Sequence, residues 1–130
     1  VLSWKALVAQ VKHVPAKQRI GYDLTHRFLK SGKVAVIPIG YADGFDRIAQ
    51  SGRGEVLIRG KRCPIAGRVC MNMFMVDVSH VSGVKAGDEV VLIGKQGRQS
   101  ITAEHHAKLM GSNVYEVVAR LNSLIQRVVH

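Results

Sequence analysis

The chain has 130 residues, of which 47% are hydrophobic and 22% charged, and its formal net charge is +10. This length suits one domain with a sizeable core rather than two, and no apolar run approaches the roughly 18 residues that cross a bilayer. The excess of Lys and Arg would suit a polyanion-binding surface, but it is scattered along the chain, and the 5% of aromatic residues are too few for a base-stacking platform.

The first third of the chain predicts short strands. Trp4–Val14 alternates loosely between two faces, which predicts one strand broken by Pro15. Gln18–Tyr22 resumes an extended path, and Thr25–Gly32 is a polar, basic connection. Val34–Pro38 is a short apolar run with β-branched residues, which predicts a buried strand.

Tyr41 stands where that buried strand gives way to a loop. The sequence continues Gly40-Tyr41-Ala42-Asp43-Gly44, and Asp43-Gly44 favours a turn because glycine accepts positive φ and Asp bonds to its own backbone. Loops at strand ends commonly display binding groups. Judged from the residues alone, Tyr41 is more simply a tyrosine that caps the rim of a β-barrel.

The middle of the chain predicts three further strands. Glu55–Arg59 and Arg62–Val69 follow a glycine-rich turn and predict a hairpin about Gly60-Lys61. Met71–Val78 alternates in the manner of a half-buried strand, and Glu89–Ile93 is an apolar run closed by Gly94.

Helices are predicted only near the C-terminus. Thr102 is a candidate N-cap for a helix over Ala103–Met110, and Asn113 opens a second short helix. The tail Leu121–His130 predicts a returning strand. Many short strands with glycine-rich turns indicate a mainly β fold, a small closed or sandwiched β-barrel-like domain with two short helices near the C-terminus.

The residue types that usually carry chemistry form no self-contained site. Cys63 and Cys70 fit no zinc spacing; a bridge between them is possible, but we expect reduced thiols in a cytosolic protein. His105 and His106 face different directions of one helix and the other histidines lie in unrelated segments, so we expect no metal site. Taken alone, these residues indicate only a basic β-domain.

Four motifs, in order, resemble the C-terminal β-domain of alanine racemases. They are Pro38–Gly44 (PIGYADG) preceded by Gly21-Tyr22, then Gly67–Met71, Gly87–Gly94 and Tyr115-Glu116. The resemblance implies that residues 1–130 are this β-domain and that a barrel binding pyridoxal 5'-phosphate (PLP) is absent from this stretch. The lack of an initiator Met agrees with an excerpt of a longer polypeptide.

The resemblance also implies the activity and its setting. Alanine racemases are cytoplasmic, head-to-tail homodimers that interconvert L- and D-alanine, and D-alanine feeds peptidoglycan synthesis. Their β-domain contacts the PLP barrel of its own subunit and of the partner subunit. No membrane or nucleic-acid partner is expected, and a basic domain docked on a more acidic one accounts for the charge.

The same resemblance gives five residues of this chain a role. Tyr22 stands at the position of the tyrosine that serves as base for L-alanine in the partner subunit's site. Met71 matches a methionine whose backbone N–H helps to hold the substrate carboxylate. Tyr41 matches a tyrosine at the substrate entrance, and Arg47 an arginine further out. Tyr115 matches a tyrosine that contacts the PLP phosphate and favours a methyl-sized substrate side chain.

Physical chemistry adds one constraint to this assignment. Racemisation needs an acid and a base on opposite faces of the α-carbon. The pKa of a phenol is ordinarily near 10, so it must fall by roughly 3 units before the phenol can act as a base near pH 7. In the family, the His and Arg that lower it belong to the barrel. We therefore expect the 130-residue chain alone to be inactive.

Departures from the family pattern keep two alternatives open. Asn72 replaces the usual Asp, Asp23 stands where Gly is common, and Leu124–Val129 replaces the closing motif. One alternative is a basic β-barrel module for nucleic acid, and the other is an inactive racemase-like interaction domain. At the level of single residues, Met71 could instead fill the core, and Tyr115 could pack as a helix aromatic.

Overall fold

The computed structural model describes residues 2–21, 24, 26–50 and 52–129. The strands are β1 (Trp4–Leu7), β2 (Gln10–Val14), β3 (Arg19–Ile20), β4 (His26–Arg27), β5 (Gly32–Ile37), β6 (Glu55–Ile58), β7 (Lys61–Ala66), β8 (Phe74–Asp77), β9 (Glu89–Gln96) and β10 (Gln99–Ile101). The helices are α1 (Ala103–Met110) and α2 (Val114–Ala119). The predicted mainly β fold with two short helices near the C-terminus is confirmed. Neither helix has the length and apolar character required to cross a membrane.

The main sheet is antiparallel and has the strand order β1-β9-β6-β7-β8-β5-β2, with β10 paired to β9. Strands β3 and β4 form a separate two-stranded ribbon. Strands β1 and β2 stand at opposite ends of the order, and no ladder joins them within the described ranges. Of the two predicted forms, closed or sandwiched, the domain adopts the β-sandwich-like one.

The prediction of one strand over Trp4–Val14 is wrong, because the chain changes partners in the middle. Strand β1 pairs with β9, and β2 pairs with β5. At the change, the Val8 N–H donates to Asp88 O and the Ala9 N–H donates to Val36 O, both at 2.9 Å. The alternating pattern runs through the break, so the sequence gives no sign of it.

Two further strands end at other residues than predicted. The β6–β7 turn lies at Arg59-Gly60, one residue earlier than expected, and both residues have positive φ as a two-residue hairpin turn requires. Strand β9 continues through Gly94, which marks the change of partner from β1 to β10 rather than the strand's end.

Three segments were assigned the wrong structure. The connection predicted over Thr25–Gly32 contains β4, which pairs with β3. Residues 71–73 precede β8 as a loop. The predicted strand at Leu121–His130 is absent from residues 121–129, because the Asn122 side chain accepts from the Leu124 N–H and starts a turn there.

The hydrophobic core is centred on the rings of Trp4, Phe45 and Phe74. The rings of Phe45 and Phe74 stack with centroids 4.5 Å apart, and Trp4 meets Phe45 edge-on at 6.1 Å. Strand β5 is buried from Val34 to Ile37, as its sequence predicts. Phe45 therefore ties the loop after β5 to the centre of the domain.

Both predicted helix caps are confirmed. The Thr102 side chain accepts from the His105 N–H at 3.1 Å, and Gly111 ends α1 in the left-handed region. The Asn113 side chain accepts from the Glu116 N–H at 3.0 Å and starts α2. These bonds satisfy amide groups that a helix end leaves unpaired.

Candidate functional site

The loop after β5 and the loop before β8 are joined by two backbone hydrogen bonds. The Tyr41 N–H donates to Cys70 O and the Ala42 N–H donates to Met71 O, each at 3.0 Å. A side chain on Gly40 would place its Cβ 2.3 Å from both carbonyl oxygens, so only glycine allows this approach. Tyr41 and Met71, predicted as site residues from separate motifs, thus lie in adjoining loops.

The Tyr41 turn is a single 3-10 turn over Tyr41–Asp43 with its own internal bonds. The Asp43 side chain accepts from the Gly40 N–H at 3.0 Å, as the Asp-Gly pattern favours. Gly44 closes the turn with a φ of 108°. The turn is rigidly joined to the core because the next residue is the fully buried Phe45.

Arg47 lies beside this turn. It begins a second 3-10 turn, Arg47–Ala49, which Asp46 caps by accepting from the Ile48 N–H at 2.8 Å. The Arg47 guanidinium is 5.6 Å from the centre of the Tyr41 ring, within the range of a cation–π contact. A shallow surface cavity of about 350 Å³ is lined by both residues together with Gly44, Asp46 and Arg120.

Met71 and Tyr115 are displayed rather than buried. Met71 is 53% exposed and Tyr115, in the first turn of α2, is 85% exposed. The alternative interpretations of Met71 as core filler and of Tyr115 as a helix-packing aromatic are therefore wrong. Val117 is the α2 residue that packs into the core.

Of the two backbone hydrogen-bonding groups of Met71, only the carbonyl has a partner among the described residues. Its carbonyl accepts from Ala42, whereas its N–H has no acceptor among the residues that the structure describes. An exposed amide of this kind can donate to an anionic group that approaches the loop. The phenol of Tyr115 also makes no hydrogen bond within the described ranges.

Tyr22, the predicted catalytic residue, lies outside the described residues. Its neighbour Gly21 is described and has a φ of 85°. A Cβ on Gly21 would be 3.3 Å from the Cα of Gly67, which also has positive φ. Gly67 begins the motif that leads to Met71, so the backbone next to Tyr22 contacts the start of that motif.

Burial disfavours the charged form of two titratable groups, Cys63 and His106. Burial raises the pKa of the Cys63 thiol to about 12, and burial lowers the pKa of His106, whose Nε2 lies 2.8 Å from Leu92 O. Both cysteines are free thiols, and Cys70 is half-buried. No group of three His, Cys, Asp or Glu side chains in the described ranges could hold a metal ion.

Part of the positive charge is balanced locally. Ion pairs between described residues include Lys5 with Glu89, Arg59 with Asp88, Arg62 with Glu55, and Arg120 with Asp46 and Glu116. The last of these lies at the candidate site and was missed by sequence reasoning. Asp46, as a residue that commonly caps a turn, could have been found just before Arg47. The i,i+4 spacing of Glu116 and Arg120 could have indicated their pair, but nothing local indicated the pair with Asp46, which is 74 residues away.

Comparison with known proteins identifies the family of this chain. Residues 1–129 match the family model described as alanine racemase, C-terminal domain. The alanine racemases of Carboxydothermus hydrogenoformans and Halothermothrix orenii are 46% and 43% identical over 127 residues, which is 98% of this chain and 34% and 33% of theirs. The chain thus spans about a third of the length of these relatives.

Solved structures give the same result. The alanine racemase from Streptomyces coelicolor A3(2) has a TM-score of 0.88 and 36% identity, covering 97% of this chain and 32% of that one. The alanine racemase from Bacillus anthracis with bound L-Ala-P has a TM-score of 0.86 and 38% identity, covering 92% of this chain and 30% of that one. The chain therefore belongs to the family of alanine racemase C-terminal domains.

Proposed function

We propose that residues 1–130 are the C-terminal β-domain of a PLP-dependent enzyme that interconverts L- and D-alanine. The observation that carries this proposal is the match of residues 1–129 to alanine racemase C-terminal domains. In the proposed enzyme, a homodimer in the cytoplasm, the domain faces the PLP barrels of its own and the partner subunit. The D-alanine that it forms supplies peptidoglycan synthesis.

One residue of this chain, Tyr115, is suited to contact PLP. When bound, PLP supplies an electron sink that stabilises negative charge at the α-carbon of the substrate. The phenol of Tyr115 is exposed and free of partners in the described part of the chain, so it can donate to a phosphate oxygen. The remaining contacts, including the lysine that holds PLP, are assigned to the barrel.

In the proposed mechanism, Tyr22 moves a proton at one face of the α-carbon. Its phenolate oxygen accepts the α-proton of L-alanine, and its phenol returns a proton when D-alanine is the substrate. This role requires cationic neighbours that lower the pKa of the phenol, and those neighbours are assigned to the barrel.

Two other parts of the chain bind and orient the substrate. The free N–H of Met71 is the proposed donor to the alanine carboxylate, and a backbone donor is indifferent to the side chain that it carries. Tyr41, with Arg47 over its ring, narrows the entrance and limits the access of water. The adjoining loops of Tyr41 and Met71 support this division of roles.

The test is α-proton exchange of alanine in deuterated water, followed by NMR, on the complete parent polypeptide. We expect the parent to exchange and racemise, and Tyr22→Phe to slow the exchange of the α-proton of L-alanine by about 10²–10⁴-fold, the usual contribution of a positioned acid or base. The α-proton of D-alanine, which is assigned to the barrel lysine, should still exchange, while racemisation slows in both directions because the two enantiomers have equal free energy. Tyr115→Phe is the matched control: it also removes one tyrosine hydroxyl, but we expect it to weaken PLP binding and to slow the α-proton exchange of both enantiomers equally.

Two outcomes would contradict the proposal. A parent that binds PLP but exchanges no proton is an inactive relative that retains the fold. A parent that neither binds PLP nor exchanges protons would favour the nucleic-acid alternative, for which binding should fall steeply with added salt.

A further inference from the structure

Arg120, the residue that ends α2, joins two parts of the candidate site. Its Nη1 lies 2.5 Å from Asp46 Oδ2 and its Nη2 lies 2.6 Å from Glu116 Oε1. Glu116 adjoins Tyr115 on α2, and Asp46 adjoins Arg47 in the loop after β5. One guanidinium therefore connects the Tyr115 helix to the loop that carries Tyr41 and Arg47.

The backbone on either side of Arg120 follows the same loop closely. The Asn122 N–H donates to Asp43 O at 3.1 Å, and the Asn122 side chain donates to Ala42 O at 3.2 Å. A Cβ on Gly44 would lie 2.5 Å from Arg120 O. The Tyr41 turn is thus held by the 70–71 loop at one side and by residues 120–122 at the other.

Asp46 connects Arg120 to the residues that surround the Tyr41 ring. Its two carboxylate oxygens have different partners, because Oδ2 meets Arg120 while Oδ1 accepts from the Ile48 N–H and caps the Arg47 turn. The capped turn places the Arg47 guanidinium 5.6 Å from the centre of the Tyr41 ring. Arg120 is therefore linked to Tyr41 through Asp46 and Arg47.

We propose that Arg120 is a positioning residue that fixes the Tyr41 ring relative to the Tyr115 helix; its kinetic consequence rests on the proposed function. Only an arginine presents two ends of a planar fork to two carboxylates at once, whereas lysine offers a single point of charge. The Arg120 side chain is 48% exposed, and exposed ion pairs contribute little to folding. Its effect is expected on geometry rather than on stability.

The first test reads the ring position without activity. Complete protein containing 3-fluorotyrosine is studied by ¹⁹F NMR, with the Tyr41 and Tyr115 signals assigned by Tyr41→Phe and Tyr115→Phe. We expect Arg120→Gln to shift or broaden the Tyr41 signal, and Asp46→Asn, which keeps the Oδ1 cap, to do the same. An unchanged Tyr41 signal in Arg120→Gln overturns the proposal whatever the protein catalyses.

Arg62→Gln is the matched control for this experiment. Arg62 is similarly exposed, pairs with Glu55 at 2.6 Å and donates to Ser100 O at 2.8 Å. It lies on β7, in none of the contacts that connect α2 with the Tyr41 turn. We expect its removal to leave the Tyr41 signal unchanged, and an equal shift in both variants would count against a specific role of Arg120.

The second test is kinetic and uses the same variants in the complete enzyme. We expect Arg120→Gln to raise the KM for alanine by about two- to fivefold, the range of one exposed ion pair, with kcat changed less. Arg120→Lys should restore part of the loss, and Arg62→Gln should resemble the parent. An unchanged KM in Arg120→Gln overturns the positioning role; a parent that does not racemise refutes the proposed function, while the ¹⁹F signal still decides the coupling.

Discussion

At the scale of single residues, Gly40 shows why the Tyr41 motif has so little freedom. The residue has extended backbone, with φ of −147°, so it is not required for a left-handed conformation. It is required because two carbonyl oxygens of the neighbouring loop occupy the space of its side chain. The glycine is thus a packing requirement between two loops that both carry candidate site residues.

Gly40→Ala should separate the two loops. Because the added carbon meets backbone atoms rather than flexible side chains, we expect a loss of about 3 kcal/mol, at the upper end for overpacking, and reduced racemisation. The loss of stability in the two loops is measured by hydrogen exchange of the 40–45 and 70–73 amides in the complete enzyme. Gly60→Ala is the control, since Gly60 has open space around it and φ of 74°, and should cost only about 1 kcal/mol for the left-handed backbone. Equal effects of both substitutions would disprove the steric explanation.

Cys63 leads to a prediction about alkaline pH. The pKa of an ordinary cysteine thiol is 9.0, and burial raises the pKa of Cys63 to about 12 in the folded domain. Between these values the unfolded chain loses the thiol proton while the folded chain keeps it, so the contribution of Cys63 makes the folded state progressively less stable as pH rises from 9 to 12. Below pH 9 this group contributes no pH dependence.

The burial of Cys63, on which that prediction depends, is tested by alkylation with iodoacetamide, read by peptide mass spectrometry on the complete enzyme. At pH 8.5 we expect Cys70, which is half-buried, to be labelled while Cys63, which is fully buried, is not. Labelling of Cys63 should begin only as the domain opens at higher pH or in denaturant. Equal labelling of both cysteines in the folded protein would contradict the burial.

At the scale of elements, the short helices are defined by their caps, and this is where the sequence was most informative. Thr102 and Asn113 were identified from local patterns, and both caps are present. Local rules work here because each cap bonds within three or four residues. The sheet was harder to predict, since the partner change at Val8 depends on strands that are distant in sequence. The turn at Arg59-Gly60 is local, but its first residue takes a positive φ without being a glycine.

The two caps allow a matched pair of substitutions. Thr102→Ala and Asn113→Ala should each cost about 1 kcal/mol, measured by hydrogen exchange of the α1 and α2 amides. Under the proposed function, only Asn113→Ala should also weaken PLP binding in the complete enzyme, because α2 carries Tyr115. Equal loss of PLP affinity in both variants would remove the specific role of α2.

At the scale of the whole molecule, the candidate site residues form part of an open surface. Tyr41, Met71 and Tyr115 are all exposed, and the cavity beside Tyr41 is shallow. The neighbouring Tyr41 and Met71 loops could not be predicted from composition or periodicity, because their contact depends on how β5 and β8 pair. The family motifs identified these residues, whereas the contact of Arg120 with Asp46 came only from the fold.

The isolated 130-residue chain should accordingly form no D-alanine from L-alanine, even with added PLP. Its residues provide one proposed proton carrier and one phosphate contact, and racemisation needs groups on both faces of the α-carbon. A coupled assay for D-alanine, with the complete enzyme as positive control, measures this. Turnover by the isolated chain would show that the barrel is dispensable and would overturn the division of roles proposed above.

The pairing of β1 with β9 has a consequence for how the domain is made. Lys5 and Glu89, whose side chains form an ion pair between these two strands, are 84 residues apart in sequence. During synthesis, the first strand therefore leaves the ribosome long before β9 exists, and the pairing that holds Trp4 beside Phe45 cannot form until β9 has emerged. Such non-local pairing slows folding and prolongs the exposure of unpaired strand edges. The first strand of this domain is thus where a chaperone would be most useful to the nascent chain.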